Sequence, residues 1–337
     1  MKRVFITGAT GFIGSYVAAE FVNRNWHVTA LVHRQDISRL EHLNTTGRIE
    51  YAQGDIADYA SLRGAFFSVD EGYDVIVHCA GRASDVGRRS AFRQANLTSV
   101  KHLVRLTKDL SIGRLVFIST TDVYGLRNFN GETEDELPLK AWPRNPYPEF
   151  KILAEAFIRR ELPPANFSIL RPAQVWGVGD TTLTSRIVDF LRWSPWIVHF
   201  GEWRGKNRWP LAHVRNVAMA AYLAATMPES AGQAINILDN ERTSMDEFYR
   251  IVGEVYFPEK KFKTITLPFW VGRITGMVVS GISLLLNLKQ PFVDPSLYAL
   301  YAVSKNLDFS NKKLRDLFEA AGRLMISLDE GIRELSS

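Results

Sequence analysis

From residue 4 to residue 119, short apolar runs alternate with longer stretches of mixed polarity. Val4-Phe5-Ile6, Val28 to Val32, Ile49 to Ala52, Val75 to Cys79 and Leu115 to Ser119 are the apolar runs, each of strand length. Between the first two, Phe12 to Trp26 repeats apolar residues at helical spacing, with Ile13, Val17, Phe21 and Val22 forming a stripe. Ser61 to Phe67 and Ala91 to Leu106 read as further helices. Strand and helix units alternating at this length predict a mostly parallel sheet covered on both faces, joined by right-handed crossovers. The fold class is therefore α/β, with a doubly wound parallel sheet.

The second half is less regular. Tyr147 to Glu161 has a strong helical pattern, and Phe167 to Leu170 a strand pattern that runs into Arg171-Pro172. Ile187 to Leu191 and Val217 to Thr226 read as helices, and Ala234 to Leu238 as a strand. Met245 to Val255 is a predicted helix capped by Ser244, with Glu247 three residues on; Ser327 and Glu330 repeat that signature. Gly125 to Pro146 is rich in polar residues, Gly and Pro, and reads as a surface loop. There is no repeat and no low-complexity segment. The expected division is a first α/β domain over residues 1–170 and a smaller α/β region over 171–337, some segments of which return to the first core.

The chain has 337 residues, 46% of them hydrophobic, enough for a sizeable core. Its 41 basic and 36 acidic side chains leave a net charge of +5 with no dense basic stripe, so nucleic acid is not an expected partner. The single cysteine, Cys79, excludes an internal disulfide framework and reads as a core thiol. Lys2 and Arg3 precede an apolar stretch that resembles a signal peptide only as far as Gly8, where a patterned glycine loop begins. The start therefore reads as a first strand, which points to a cytoplasmic protein. No metal site is expected.

Gly8, Gly11 and Gly14 recur at spacings of three between the first strand and the first helix. Gly8 suits a tight turn, Gly11 lets the backbone approach a pyrophosphate, and Gly14 allows helix to pack closely on strand. The helix N-terminus offers unpaired N–H groups and partial positive charge to phosphates. At the tip of the second strand the sequence is Val32-His33-Arg34, with no acid to bind ribose hydroxyls. Arg34 suits a 2′-phosphate, so NADP is expected over NAD. Asp55, after the third strand, fits either an adenine contact or a helix cap.

Tyr147 and Lys151 lie four apart and share a helix face. A cation near a phenol favours the charged form, so the pair is expected to exchange a proton near neutral pH. Ser119, Thr120 and Thr121 place hydroxyls at the end of a strand, and spacing alone does not choose among them.

These segments together resemble the extended short-chain dehydrogenase/reductases over roughly residues 2–335. The resemblance is carried by Thr7 to Gly14, Gly54-Asp55, His78-Cys79-Ala80-Gly81, Ser119 to Gly125, Tyr147-Pro148-Glu149-Phe150-Lys151 and Arg171-Pro172. It implies a Rossmann-type sheet and a nicotinamide cofactor held by Gly8, Thr10, Gly11, Phe12, Ile13, Gly14, His33, Arg34, Asp55, Ile56, Ala80, Gly81, Tyr147, Lys151 and Pro172. It implies that Thr120, four residues before Tyr124, is the catalytic hydroxyl, that Tyr147 is the acid/base, and that Asn96 holds an active-site water. Within the superfamily the chain is most similar to the 3β-hydroxysteroid dehydrogenase and dihydroflavonol reductase branches, through Arg171 to Asp180, Leu211 to Ala218 and Gly232 to Ile237. Trp176 departs from the commoner tyrosine there.

The resemblance implies hydride transfer between a ketone and a secondary alcohol on a bulky, partly apolar substrate. A nucleotide-sugar epimerase or dehydratase is the alternative, in which Arg204, Lys206 and Arg208 would bind the diphosphate. A non-catalytic dinucleotide-binding protein is the third reading. Leu267-Pro268-Phe269-Trp270 leads into an uncharged run from Ile274 to Leu286, too short to cross a bilayer as a simple helix. Residues 267–288 can line a greasy pocket, press on a membrane surface or form an interface; Phe292, Tyr298 and Tyr301 extend their aromatic character. A homodimer is implied by resemblance only.

Overall fold

The structure is a computed structural model that describes residues 2–33, 36–68, 72–84, 87–142, 145–286 and 296–336. The expectations placed on Arg34 and Phe292 lie outside the described residues.

The chain begins with β1 (Arg3–Thr7), α1 (Phe12–Asn23), β2 (His27–Val32), β3 (Ile49–Gln53), α2 (Tyr59–Phe66) and β4 (Val75–His78). Next come α3 (Arg89–Arg93), a π-helical turn at Gln94–Thr98, α4 (Ser99–Asp109) and β5 (Arg114–Ile118). The middle holds β6 (Phe129–Glu132), α5 (Pro146–Glu161), β7 (Phe167–Pro172), β8 (Gln174–Trp176) and α6 (Thr184–Trp193). Then follow β9 (Trp196–Phe200), β10 (Leu211–His213), α7 (Val214–Thr226), β11 (Ala234–Ile237) and α8 (Met245–Tyr256). The last elements are β12 (Lys263–Leu267), α9 (Phe269–Leu285), α10 (Leu297–Val303), β13 (Leu307–Phe309), α11 (Lys312–Ala320) and α12 (Leu328–Leu335).

Seven strands form one parallel sheet in the order β11-β7-β5-β4-β1-β2-β3. From β1 the chain winds outward to β2 and β3, then crosses to β4 and winds the other way. The strand order thus reverses between β1 and β4, the position at which such sheets carry their ligand crevice, outside the strands' carboxyl ends. Val4, Phe5, Ile6, Val75, Ile76 and Val77 are buried on both faces, which is why these runs are continuously apolar.

Helices α1, α7 and α11 cover one face, around Val17, Phe21, Ala221 and Leu317. Helices α2, α4 and α5 cover the other, around Leu62, Leu103, Phe150 and Ile158. A separate core holds Trp176, Ile187, Trp209, Leu211 and Phe248, contributed by residues after β7. The two predicted capping boxes are formed, Ser244 with Glu247 and Ser327 with Glu330.

The stretch from Gly125 to Pro146 is more than a surface loop. It contains β6, which pairs with β13, and its Phe129 and Leu137 are buried with Tyr124, Leu307 and Phe309. Two apolar residues scattered among polar ones carry no period, so the sequence pattern hid them. The predicted helix from Ala91 to Leu106 is interrupted by the π turn, which holds Asn96.

The first loop and the first helix approach each other closely. A Cβ on Gly14 would lie 2.0 Å from the Gly8 carbonyl oxygen. Backbone cannot yield there, so Gly14→Ala is expected to cost about 3 kcal/mol of stability. Urea unfolding of the variant checks this, and an unchanged midpoint would show that α1 is not locked onto the loop.

Candidate active site

The loops after β1, β4 and β5 converge with α5 at the crevice. Gly8 turns the chain with a φ of +71°, a region costly for any side chain, and a Cβ on it would meet the Ala80 nitrogen at 2.6 Å. The loops after β1 and β4 therefore run in backbone contact. Helix α1 starts from Gly11 with no side-chain cap and no acid in its first turn. Its leading N–H groups keep their positive field with no carboxylate of their own beside them, and Gly11 is exposed. A phosphate fits these residues.

Around that turn, Thr10 and Ile13 are half-buried, and Phe12 sets its ring edge-on to Tyr16. His33 is exposed at the tip of β2. Asp55 accepts from the Ala57 N–H at 2.8 Å, and the Ile56 carbonyl faces His102 Nδ1 at 2.9 Å. The cap of α2 is Asp58, which accepts from Ala60 and Ser61, so the helix-capping alternative for Asp55 is corrected. Capping requires the carboxylate to reach the second or third helical N–H, and Asp55 sits too early in the chain.

Gly81 is exposed, and a Cβ there would crowd Asn96 Oδ1 at 2.8 Å and Lys151 Nζ at 3.4 Å. Asn96 is fully buried. Its Nδ2 donates to the Arg82 carbonyl and its Oδ1 accepts from the Arg82 N–H, both at 3.1 Å. Its amide therefore pins the loop after β4, so the side chain acts as a brace for the Ala80–Arg82 backbone. Pro172 is buried at the end of β7, beside Ile237 of β11.

Among the three hydroxyls after β5, Thr120 meets the tyrosine. Its hydroxyl lies near enough to the Tyr147 phenol to favour the phenol's charged form, and it accepts from the Asp122 N–H at 3.1 Å. Ser119 instead donates to Glu155 at 2.5 Å. Asn145 caps α5 by accepting from the Tyr147 N–H, which fixes the turn that presents the phenol.

Lys151 is buried and donates to the Ile118 carbonyl at 2.7 Å, with its ammonium 4.6 Å from the Phe117 ring centre. Desolvation brings its pKa down to about 8, against the opposing pull of the Glu155 carboxylate and Cys79. Its ammonium lies 5.9 Å from the Tyr147 ring centre. The expectation that Lys151 lowers the Tyr147 pKa does not hold in this arrangement. Burial raises the phenol, the Asp122 carboxylate raises it further, and only the Thr120 hydroxyl lowers it. Tyr147 is thus a protonated phenol at neutral pH, a proton donor more readily than an acceptor.

Neighbouring groups are chemically quiet. Burial pushes the Cys79 thiol up to about 12, so the core-thiol reading stands and the thiolate is absent at neutral pH. Burial, then the Lys151 charge, hold His78 down to about 3; its neutral ring sits between Thr7 at 2.6 Å and Ser99 at 3.4 Å.

Beneath Lys151 lies an ion pair that the sequence reading missed. Glu155 follows it by one helical turn and pairs with Arg171 of β7 through two bonds, Nε to Oε1 at 3.1 Å and Nη2 to Oε2 at 2.6 Å. Both side chains are almost fully buried. Arg171 continues to the Tyr124 hydroxyl at 2.7 Å, which donates to Asn236 Oδ1 at 2.7 Å. Glu155 spaced four from Lys151 and eight from Tyr147 was the available signal. A second hub is Asp239, which accepts from Trp176 Nε1, the His213 N–H and Asn216 Nδ2, each at 2.8 Å. Trp176 thereby has the polar role that sequence alone did not suggest.

The basic residues near Trp209 do not converge. Arg204 borders a surface groove with Glu202 and Leu267. Lys206 and Arg208 border another, shared with Glu247 and Asp308. Arg208 donates to the Arg242 carbonyl, and Arg242 pairs with Asp308 at 3.4 Å.

Residues 4–237 match the model of the NAD dependent epimerase/dehydratase family. A dTDP-4-dehydro-6-deoxy-D-allose reductase of Streptomyces bikiniensis is 29% identical over 187 residues, which are 53% of this chain and 57% of that protein. The chain therefore spans little more than half the length of that relative. A 4-hydroxy-2-methyl-3-oxo-4-farnesyl-3,4-dihydroquinoline-1-oxide ketoreductase of Stigmatella aurantiaca is 24% identical over 326 residues, covering 96% of this chain and 92% of that one. The dTDP-glucose 4,6-dehydratase of Bacillus anthracis, solved with NAD, shares the fold with a TM-score of 0.74 at 16% identity, over 100% of this chain and 96% of that one.

The lowered Lys151 pKa has a stability consequence. An unfolded lysine keeps its proton to about pH 10.4, whereas the folded one loses it near about 8. Between those values the unfolded state binds more protons, so folding stability gains from this group as pH rises and loses as pH falls through 8. Lys151→Met is expected to remove that rise. Denaturation midpoints at pH 7 and pH 10 check it; an identical pH difference in both proteins would contradict the buried ammonium.

Proposed function

The chain belongs to the NAD-dependent epimerase/dehydratase family, and we propose that it interconverts a ketone and a secondary alcohol on a bulky, partly apolar substrate, using NADP(H). It is an enzyme of the extended short-chain dehydrogenase/reductase type. The observation that carries the proposal is the meeting of Thr120, Tyr147 and Lys151 beside the uncapped N-terminus of α1. A bound nicotinamide dinucleotide supplies or accepts the hydride.

In reduction, the substrate carbonyl carbon receives the hydride and its π electrons move to oxygen, which takes the phenol proton of Tyr147. Thr120 donates a hydrogen bond to that oxygen as charge develops. Lys151 would bind ribose hydroxyls of the cofactor and bring its positive charge near the phenol oxygen left behind. In oxidation the same proton returns from the alcohol to Tyr147. Glu155 and Arg171 hold α5 so that these groups stay in register.

Support for an apolar substrate comes from two sources. The Stigmatella relative that aligns along nearly its whole length is named as a ketoreductase of a farnesylated quinoline oxide. An aromatic wall also leads away from α5: Trp142, three residues before the Asn145 cap, lies 5.6 Å from Tyr298 and 5.5 Å from Tyr301. The nucleotide-sugar reading draws on the Streptomyces relative and the dehydratase structure. It predicts retained oxidised cofactor and binding of a nucleoside diphosphate. The divergence of Arg204 from Lys206 and Arg208, and the acids beside each, weigh against a diphosphate clamp.

Tyr147→Phe is expected to lower turnover by about a thousandfold or more while leaving NADPH affinity nearly intact. A screen of ketones, steroids, flavonoids and nucleotide sugars, read by nicotinamide absorbance, supplies the substrate; full activity of the variant would remove Tyr147 as proton donor, and no turnover of any of them by the unmodified chain would favour a non-catalytic binding protein. The preference for NADP is inferred from Val32-His33-Arg34, which offers a guanidinium and no acid. NADPH is expected to bind about tenfold more tightly than NADH, and Arg34→Ala to erase the difference; equal affinities in the unmodified protein would refute it.

A further inference from the structure

Helix α9 is built inside out. The residues it turns toward the protein are Gly272, Gly276, Val279 and Ser283. A Cβ on Gly272 would meet Leu300 at 2.5 Å, and one on Gly276 would meet the Leu297 backbone at 3.1 Å. Small residues thus let α9 settle onto α10. Its bulky residues point the other way: Trp270, Ile274, Met277, Val278, Ile282, Leu284 and Leu285 are exposed, Leu285 at 84%. An ordinary surface helix buries its bulky stripe and exposes its charges. Here no charged residue occurs from Ile274 to Leu286, so the outward half is an apolar strip. Strips of this kind mark interaction surfaces.

The flanks decide what it binds. β12 runs straight into α9 through Pro268, and its first residue, Lys263, pairs in register with Trp196 of β9. The Lys263 ammonium lies 5.7 Å from the Trp196 ring centre; Lys260, Lys261, Arg204 and Arg273 are exposed in the adjoining segments against exposed Glu202 and Glu259, while Arg192 pairs with Asp189. Trp193 is 86% exposed beside Arg192. Trp270 and Arg273 on α9 itself, with an excess of cations over acids in the strand pair that leads into it, are the components of binding at a lipid–water interface. A second copy of the chain would bring this cationic rim against itself across a two-fold axis, whereas an anionic surface complements it. No helix among the described residues is long and apolar enough to cross a membrane, so α9 would lie on the bilayer.

We propose that α9 docks this protein on an anionic lipid bilayer, with Trp270, Ile274 and Leu285 among the acyl chains and Lys261, Lys263 and Arg273 on the headgroups. The docked face is linked to the catalytic helix. Phe269 packs edge-on against Tyr301 at 5.2 Å, Tyr301 packs on Trp142, and Trp142 precedes the cap of α5. A lipophilic ketone dissolved in the bilayer would meet this aromatic path first; that step rests on the reductase reading above, while the docking itself does not.

Sedimentation of the purified chain with vesicles of phosphatidylcholine, with and without phosphatidylglycerol, tests the proposal. The protein is expected to pellet with the anionic vesicles, less with the neutral ones, and less again in high salt. Ile274→Glu with Leu285→Glu is expected to weaken partitioning into both by about tenfold or more. Lys261→Glu with Lys263→Glu is expected to weaken it about tenfold on anionic vesicles only. All four side chains are exposed, so the melting temperature and the vesicle-free reduction of a water-soluble β-keto ester should not change. A chain that stays in the supernatant with both vesicles overturns the docking, as does an Ile274/Leu285 variant that pellets equally well. So does a dimer that binds no vesicle and is split by those substitutions. Vesicle binding that persists without turnover of any ketone supports the docking and refutes the reductase reading.

Discussion

The buried pair of Glu155 and Arg171 is the constraint on which the site depends. Two charges taken out of water this completely are costly unless their remaining hydrogen-bonding capacity is met. It is met here: Ser119 and both guanidinium bonds satisfy Glu155, and the Tyr124 hydroxyl takes another Arg171 donor. Removing one partner of such a pair typically costs about 3–5 kcal/mol, because the other is left buried and uncompensated. The pair joins α5 to β7 and, through Ser119, to the loop that carries Thr120. The three reacting groups come from two elements, and this pair holds those elements together. Its carboxylate also favours the protonated form of Lys151, one turn away, against desolvation.

Much of the fold was legible because its signal is local. Parallel strands buried on both faces must be continuous apolar runs, and Val4 to Ile6 or Val75 to Val77 show it plainly, whereas the edge strand β3 is largely exposed. The glycine spacing was legible for a steric reason, since Gly14 has no room for a methyl group beside the Gly8 carbonyl. The small paired strands β6, β9, β12 and β13 were not legible. Each pairs with a strand far along the chain: β6 meets β13 and β9 meets β12. Phe129 and Leu137 gained their places through that pairing and not through any period of their own.

The site was legible in its members and less so in its electrostatics. Spacing brought Tyr147 and Lys151 to one helix face, but a shared face does not set a distance between charge and phenol oxygen. Lys151 turned its ammonium to the Ile118 carbonyl and the Phe117 ring, and burial then governed Tyr147. Asn96 shows the same limit. Its position on the fourth helical stretch was found, but only the structure shows both ends of its amide spent on the Arg82 backbone. Asp239 could not be found at all, because a single acid after a strand gives no hint of three donors converging on it.

The two unusual features of the molecule answer to one physical requirement. A ketone large and apolar enough to need an aromatic wall partitions out of water, so its free concentration in solution is small. An enzyme that waited for it there would be limited by encounter. A helix whose glycines face inward and whose leucines face outward gives up burial that folding would otherwise use, of order 1.5–3 kcal/mol for each bulky side chain left exposed. On the docking proposed above, the bilayer buries that strip and recovers this contribution. The aromatic contacts from Phe269 through Tyr301 to Trp142 place that strip one step from the cap of the catalytic helix. On that proposal, the buried ion pair of Glu155 and Arg171 lies on the core side of the candidate site and the substrate would arrive from the apolar side.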